Sequence, residues 1–502
     1  MSTSFPARAP RTLGVARRAA LVFAAWSGFW LLSAGIIALL LYVPYAQMRY
    51  GELGVGGMLA ILAAISLMVA LFRPRGAERG MGGQALARER VPALYAQVEA
   101  IGARAGVRAP VAIHLGAGIN ASVGAERHWY GRVRRLDVTL GHGLLCVLDE
   151  RQLGAVIAHE FGHMAKGDLG LTPWVYRTRI ALGGTLSSLE SSLFLLDAPF
   201  RLYAHGFLRQ TASISRAQEY AADALAAEMF GADAMAGALR QVHAFDAEWS
   251  VYFNEALLPA VNRGARLPVL DGFRRFAAST DKRPAVLQAL ARADAEAPHP
   301  FDSHPSLDER LKALGVRTGS ELSASERHAS GGALHLLGGE AEAERLWYEC
   351  FTRGALCDTD WDAFGEAVLA PAILTRFTGT FLSPEAVPLR SLPELVADTD
   401  TLWQRTKPDG LSLLSAQGRT RHVLGVLEEF VIASLGRSGW RLHARPAESL
   451  RLERGAERIV PERLIEDVRE GRVGVDTLAR YEMPMAPACD QLQAEAGRET
   501  TG

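Results

Sequence analysis

The sequence predicts a mainly α-helical chain with a small β-sheet, led by a transmembrane helical hairpin and ending in a small α+β region. Three observations carry that class. Two long apolar runs stand near the N-terminus, at residues 21–43 and 53–72. From residue 91 onward apolar residues recur mostly at helical spacing, interrupted by one cluster of short alternating segments at 111–140. Near residue 318 a Gly/Ser-rich stretch, RTGSELSASERHASGGA, opens a separate C-terminal portion. The expected organisation is a hairpin at 1–80, a central domain at 81–317 and an α+β region at 318–502.

The first apolar run, LVFAAWSGFWLLSAGIIALLLYV, contains no charge and is long enough for a bilayer core, which takes about 20 apolar residues in a helix. The second, LGVGGMLAILAAISLMVALF, follows at once. Between them PYAQMRYGE, with Pro44, Tyr45, Tyr50 and Gly51, suits a tight interfacial turn. The basic Arg8, Arg11, Arg17 and Arg18 would also suit a cleaved signal peptide. That reading fits poorly, because the apolar run exceeds the usual ~7–15-residue signal core and a second span succeeds it. Arg73, Arg75, Arg79, Arg88 and Arg90 follow the second run, whereas the turn holds only Arg49. Positive charge favours the cytoplasmic side, so both ends of the hairpin are expected there and the turn outside.

Bulk composition narrows the partners. Basic and acidic residues nearly cancel, 54 against 55, which points to no nucleic acid. Cys146, Cys350, Cys357 and Cys489 are too few for a disulfide framework in a chain this long. Cys350 and Cys357 could pair or bind a metal, but no second pair accompanies them, and ordinary reduced cysteines are the simpler reading.

The central region opens with helical spacing at 91–105, where Leu94, Val98 and Ile101 form one stripe. Alternating segments follow at 111–115, 119–123 and 133–140, with Gly116, Gly118 and Gly131 marking turns of a small sheet. Helix is expected again after Leu148. Asp149 and Gln152 stand in a capping-box arrangement, Leu153, Val156, Ile157 and Met164 supply the apolar stripe, and Gly167 supplies the stop. Within this helix VIAHEFGHMAKGD places His159 and His163 one turn apart on one face. Their ring nitrogens can reach the same ion, while Glu160 projects beside it toward a bound water. The plain alternative is a helix with two buried, hydrogen-bonded histidines. A zinc site of this type needs a third protein ligand and an open fourth position.

A candidate stands at SRAQEYAADALAAEMF, residues 215–230. Ser213 or Ser215 can start a helix there, with Ala222, Leu225, Ala226 and Met229 as its apolar face. Glu219 and Asp223 lie four apart on one side. Such a pair is either a solvated helix face or a ligand followed by an aspartate that orients a metal-bound histidine through its distal N–H.

These pieces resemble one family. INAS at 119–122, GLL…LDERQLGAVIAHEFGHMAKGD at 143–168, SRAQEYAADALA at 215–226 and HPSLDERLKAL at 304–314 are similar, in order, to the membrane-bound zinc metallopeptidases that include the HtpX-like heat-shock proteases and the CaaX prenyl proteases. The resemblance implies a gluzincin domain with zinc on His159, His163 and Glu219, Glu160 as general base and proton donor, and Asp223 supporting a ligand histidine. It places Asn120 and Ala121 on or near the edge strand that pairs with substrate. His304 is implied either as a cleft residue that helps hold the oxyanion or as a structural residue opening a helix, and Arg310 as a structural ion-pair former. The implied protein is a multi-pass zinc endopeptidase of the cell inner membrane, its catalytic domain facing the cytoplasm. Its partners would be the lipid bilayer and membrane-associated polypeptide substrates, in membrane-protein quality control. A dedicated processing peptidase of the prenyl-protein type and an inactive membrane scaffold are the alternatives.

Two departures from the family stand out. Ser122 follows the NA pair where relatives often carry a large apolar residue. Relatives also commonly place two further spans between the histidine motif and the glutamate. Here residues 169–212 are broken by Arg177, Arg179, Glu190, Asp197 and two prolines, which suits a helical pair on the catalytic domain or at the membrane surface.

Residues 232–302 read as mainly helical, with Trp249, Tyr252 and Phe253 as core or groove aromatics. The C-terminal region starts helical; WRLHA at 440–444 and SLRLE at 449–453 then alternate like a strand pair, before a helix opened by Pro461. His335, His422 and His443 are scattered and mark no site. A substrate- or partner-handling appendage is expected.

Overall fold

A computed structural model describes residues 15–72, 85–127, 133–165, 194–288, 305–317, 331–352, 354–407 and 416–483. The sequence readings at Arg8, Arg11, Arg73, Arg75, Arg79, Gly131, Gly167, residues 169–193, His304, the 318–330 linker and Cys489 lie outside these. Two compact units emerge, each built from two stretches of chain: Met1–Asp246 with Arg292–Ala343, and Ala247–Ala291 with Glu344–Gly502.

The first unit begins with two apolar helices packed on each other, α1 (Val15–Tyr50) and α2 (Val55–Phe72). Phe29, Ala64 and Leu67 are buried, while Leu31, Leu39, Met58, Leu62 and Val69 stay exposed. Trp26–Tyr50 is long and apolar enough to cross a membrane, and Val55–Val69 is a shorter apolar helix. The turn is shorter than the sequence suggested. α1 runs through Pro44 to Tyr50, because a proline removes one hydrogen bond and leaves the rest of a long ladder intact. Gln47 then closes the turn by accepting from the Gly54 N–H at 3.1 Å.

Next comes α3 (Pro92–Arg104), whose buried Leu94, Tyr95, Val98 and Ile101 bear out the predicted stripe. Three strands follow, β1 (Val111–Gly116), β2 (Ala121–Arg127) and β3 (Val133–Gly141), in the order β1-β3-β2. β3 pairs in parallel with β1 and antiparallel with β2, which leaves β2 on an edge among the described residues. A short helix α4 (His142–Val147), not expected from the sequence, is wholly buried. Its six residues are too few to show a helical period.

Two helices then carry the site residues. α5 (Glu150–Ala165) opens on the predicted capping box: Asp149 Oδ1 accepts from Gln152 N at 2.8 Å, and Gln152 Oε1 from Asp149 N at 3.0 Å. α6 (Phe194–Phe230) is one continuous helix, so it does not start at Ser213 or Ser215. Serine is favoured at helix starts but is tolerated inside a helix when the flanking residues continue it. α7 (Ala232–Tyr252) follows, and α8 (Leu307–Ala313) returns to this unit with its own capping box from Ser306 and Glu309.

The second unit holds residues 247–291 together with the C-terminal portion, whereas the sequence placed a boundary near 318. Hydrogen bonds from far along the chain explain the grouping. Tyr348 Oη accepts from Leu267 N at 2.9 Å and donates to Leu267 O at 2.8 Å. Trp361 Nε1 donates to Pro268 O at 2.9 Å, and Glu344 accepts from Val269 N at 2.7 Å. Around them Trp249, Tyr252, Phe273 and Trp361 form a buried aromatic cluster. The predicted strand pair appears as Arg441–His443 and Arg451–Arg454, extended by a third strand, Glu457–Ile459, across a tight turn at Gly455. Pro461 opens a helix, as expected. Cys350 and Cys357 are not joined by a disulfide.

Candidate metal centre

α5 and α6 lie close because small residues face each other. A Cβ on Gly162 would stand 2.9 Å from Ala222 Cα, so glycine between the two histidines is what lets the helices approach. Ala222 and Ala226 of α6 are buried, and Leu225 also faces Gly162. The approach brings one turn of α5 against one turn of α6.

His159 and His163, i and i+4 on α5, point their rings at the same place. Their Nε2 atoms are 3.1 Å apart. Glu219 of α6 reaches both: Oε2 is 3.5 Å from His159 Nε2, and Oε1 is 3.6 Å from His163 Nε2. Glu160 belongs to the same cluster, since one ligand atom each from His159, Glu160 and His163 lie within 4.8 Å of one another. Zinc binds His nitrogen at about 2.0–2.1 Å in tetrahedral sites, so neighbouring ligand atoms stand ~3.3–3.4 Å apart. The three donors are already spaced for such an ion.

The other ring nitrogen of His159 is held from behind. His159 Nδ1 lies 2.9 Å from Asp223 Oδ1, one turn along α6 from Glu219. Arg310 of α8 grips the same carboxylate with two nitrogens, Nη2 at 2.6 Å from Oδ1 and Nε at 2.9 Å from Oδ2. Its Nη1 stands 3.7 Å from Glu219 Oε2. The Ser306 cap fixes the start of α8 and hence this arginine. Burial works against charge on His159, but Asp223, Glu219 and Glu160 outweigh it and raise its pKa to about 9. Burial also opposes the charge on Asp223, and Arg310 with His159 more than reverses this, keeping the carboxyl below its usual range. Both carboxylates are buried with His159: Asp223 is 1% exposed and Glu219 5%.

Of the other predicted residues, Asn120 is exposed just before β2, and its carbonyl accepts from Gly141 N at 2.8 Å. Ala121 starts β2 and pairs with Leu140 of β3, leaving the outer edge of β2 open among the described residues. α5 packs against β2, which sets this edge beside the histidine helix. The ion-pair reading of Arg310 is borne out, but its partner was not legible, since Asp223 lies 87 residues away. The role of Gly162 was missed as well; a glycine inside a helix otherwise read as strongly periodic was the available signal.

A match to Peptidase family M48 covers residues 98–318, a stretch that contains every residue of the cluster. The chain carries a peptidase family M48 domain. Proteases HtpX of two Xanthomonas pathogens are similar to it: that of Xanthomonas axonopodis pv. citri (strain 306) is 29% identical over 322 residues, 58% of this chain and 94% of the relative. That of Xanthomonas euvesicatoria pv. vesicatoria (strain 85-10) is 29% identical over 324 residues, 58% of this chain and 95% of the relative. No solved structure matches. The M48 domain and these relatives bear out the resemblance to the HtpX-like peptidases, and with it the reading as a protease.

Proposed function

We propose that the chain is a zinc-dependent membrane endopeptidase with its metal on His159, His163 and Glu219. The observation that carries the reading is the convergence of two imidazole nitrogens and one carboxylate at 3.1, 3.5 and 3.6 Å. When bound, zinc would polarise a scissile carbonyl and acidify a water.

The chain's own residues supply the rest. Asp223 accepts the Nδ1–H of His159, which leaves Nε2 as the ligand nitrogen and holds the ring in place. Arg310 balances the charge of Asp223, so the aspartate stays ionised in a buried position. Glu160, beside the donors, takes a proton from the attacking water as its oxygen bonds to the carbonyl carbon. It then delivers that proton to the departing amine as the C–N bond breaks. The open edge of β2 pairs with extended substrate backbone, with Asn120 and Ala121 at its start.

The apolar outer faces of α1 and α2 suit a bilayer: Trp26–Tyr50 is long enough to cross it, and the shorter α2, packed on α1, is read as the returning span. Arginines at both ends put the M48 domain on the cytoplasmic face, where degradation of damaged membrane proteins is the fitting task. The test is Glu160→Gln in the full-length protein. Zinc content should stay at the wild-type level while proteolysis falls by at least about a hundredfold, the low end of what general-base catalysis contributes. Near-normal cleavage would remove Glu160 from the mechanism.

A further inference from the structure

α6 joins two places that the sequence treats as separate. Its N-terminal half meets the apolar helix α1, and its C-terminal half carries Glu219 and Asp223. Phe200, Ala204 and Phe207 are buried at 0%, 0% and 3% exposure, at the i, i+4, i+7 spacing of one helix face. Phe29 of α1, 1% exposed, meets the rings of Phe200 and Tyr203 at centroid distances of 6.2 and 6.3 Å. One turn along α1, buried Ser33 donates its hydroxyl to Phe29 O at 2.8 Å, which satisfies that hydroxyl within its own helix.

From Phe200 to Glu219 is 19 residues, or ~28 Å of helix at about 1.5 Å per residue. No proline interrupts it, and Gly206 is the single glycine between Phe200 and Phe230. Continuous helices act as rigid elements over such distances. A rotation or slide of α6 at the Phe29 contact must therefore displace Glu219 relative to the histidines on α5.

We propose that α1 holds Glu219 at its ligand position through α6, so that metal affinity depends on the α1–α6 contact about 28 Å away. The inference rests on the reading of Glu219 as a ligand. Its consequence is that the metal centre senses the membrane helix: whatever shifts α1 in the bilayer shifts the affinity of the site. The competing account is that the Gly162–Ala222 seam alone fixes Glu219, leaving α1 a mere anchor.

Full-length protein, purified in detergent and stripped of metal, is titrated with zinc against a chromophoric chelator. Phe29→Ala opens the contact. Gly206→Pro breaks the rod between contact and ligand, while Gly206→Ala stiffens it, since a Cβ there meets nothing within 4 Å. Leu31→Ala, at a position 72% exposed, is the control on α1. Phe29→Ala and Gly206→Pro should each weaken zinc by about tenfold or more, the low end of losses from supporting interactions. Leu31→Ala should match wild type, and Gly206→Ala should match it or bind more tightly. Helical circular dichroism checks folding; if Phe29→Ala fails to fold, the two Gly206 variants decide. Glu219→Ala separates the two claims. Loss of affinity in Glu219→Ala with wild-type affinity in Phe29→Ala and Gly206→Pro overturns the coupling and leaves the metal reading standing. Wild-type affinity in Glu219→Ala overturns the metal reading itself.

Discussion

Replacing Arg310 with alanine removes a cation that stands 3.5 Å from His159 Nδ1 and 3.7 Å from Glu219 Oε2, and it should cost both stability and zinc affinity. The guanidinium makes two contacts with Asp223, at 2.6 and 2.9 Å, in a pair whose side chains are 13% and 1% exposed. Breaking one side of such a buried pair leaves a desolvated charge and typically costs about 3–5 kcal/mol. Asp223 then keeps its contact with His159, at 2.9 Å, but is no longer held from the other side, and the histidine loses a firmly held acceptor. Loss of that kind of support weakens metal sites roughly 10–100-fold. Arg310→Lys should rescue only part of this, because an ammonium cannot span both oxygens. The double variant Arg310→Met with Asp223→Asn should regain much of the stability, having no unpaired charge, while zinc stays weak because asparagine holds the ring less firmly. Thermal unfolding and chelator-competition titration of the full-length protein measure the two effects. Wild-type unfolding and wild-type affinity in Arg310→Ala would refute the reasoning.

Three further outcomes follow from the same geometry. Gly162→Ala should weaken zinc by about tenfold or more, since its Cβ would stand 2.9 Å from the Ala222 backbone and push α6 away; an unchanged titration would show that the seam can relax. His142 is fully buried, and burial lowers its pKa to about 4, below the value near 6.5 it has when unfolded. Its folded pKa is the lower one, so the unfolded chain binds more protons between these values and stability falls as pH drops from 6.5 toward 4, by on the order of 3 kcal/mol. His142→Leu should flatten that part of the pH–stability curve, and an equal acid loss in the variant would assign the effect elsewhere. For topology, Gln47→Cys in the turn should react with an impermeant thiol reagent in intact cells, while a cysteine within residues 76–90 should react only after lysis. The reverse pattern would place the M48 domain on the opposite side of the membrane.

How much of this was legible in the sequence depended on whether the signal was local. The start of α5 was readable because Asp149 and Gln152 satisfy each other's backbone within one turn. The histidine pair and the Glu219/Asp223 pair were readable because each is one helical turn long. The start of α6 was misplaced because Ser213 and Ser215 look like caps, while Asp197 and Pro199, which read as breaks, lie inside the opening turns of the helix. α4 was invisible because all its residues are buried and none marks a face. The bidentate grip of Arg310 and the union of residues 247–291 with the C-terminal portion are tertiary facts, made by bonds between residues more than 70 positions apart. No local pattern reports such bonds.

The central claim is that three side chains from two helices form one zinc site. It is tested most directly by elemental analysis of the purified full-length protein beside Glu219→Ala and Glu160→Gln. Wild type and Glu160→Gln should each hold about one zinc per chain, because three protein ligands complete a catalytic site and Glu160 is none of them. Glu219→Ala should hold almost none. Full zinc occupancy in Glu219→Ala, or its absence from the wild type reconstituted with excess zinc, would contradict the account.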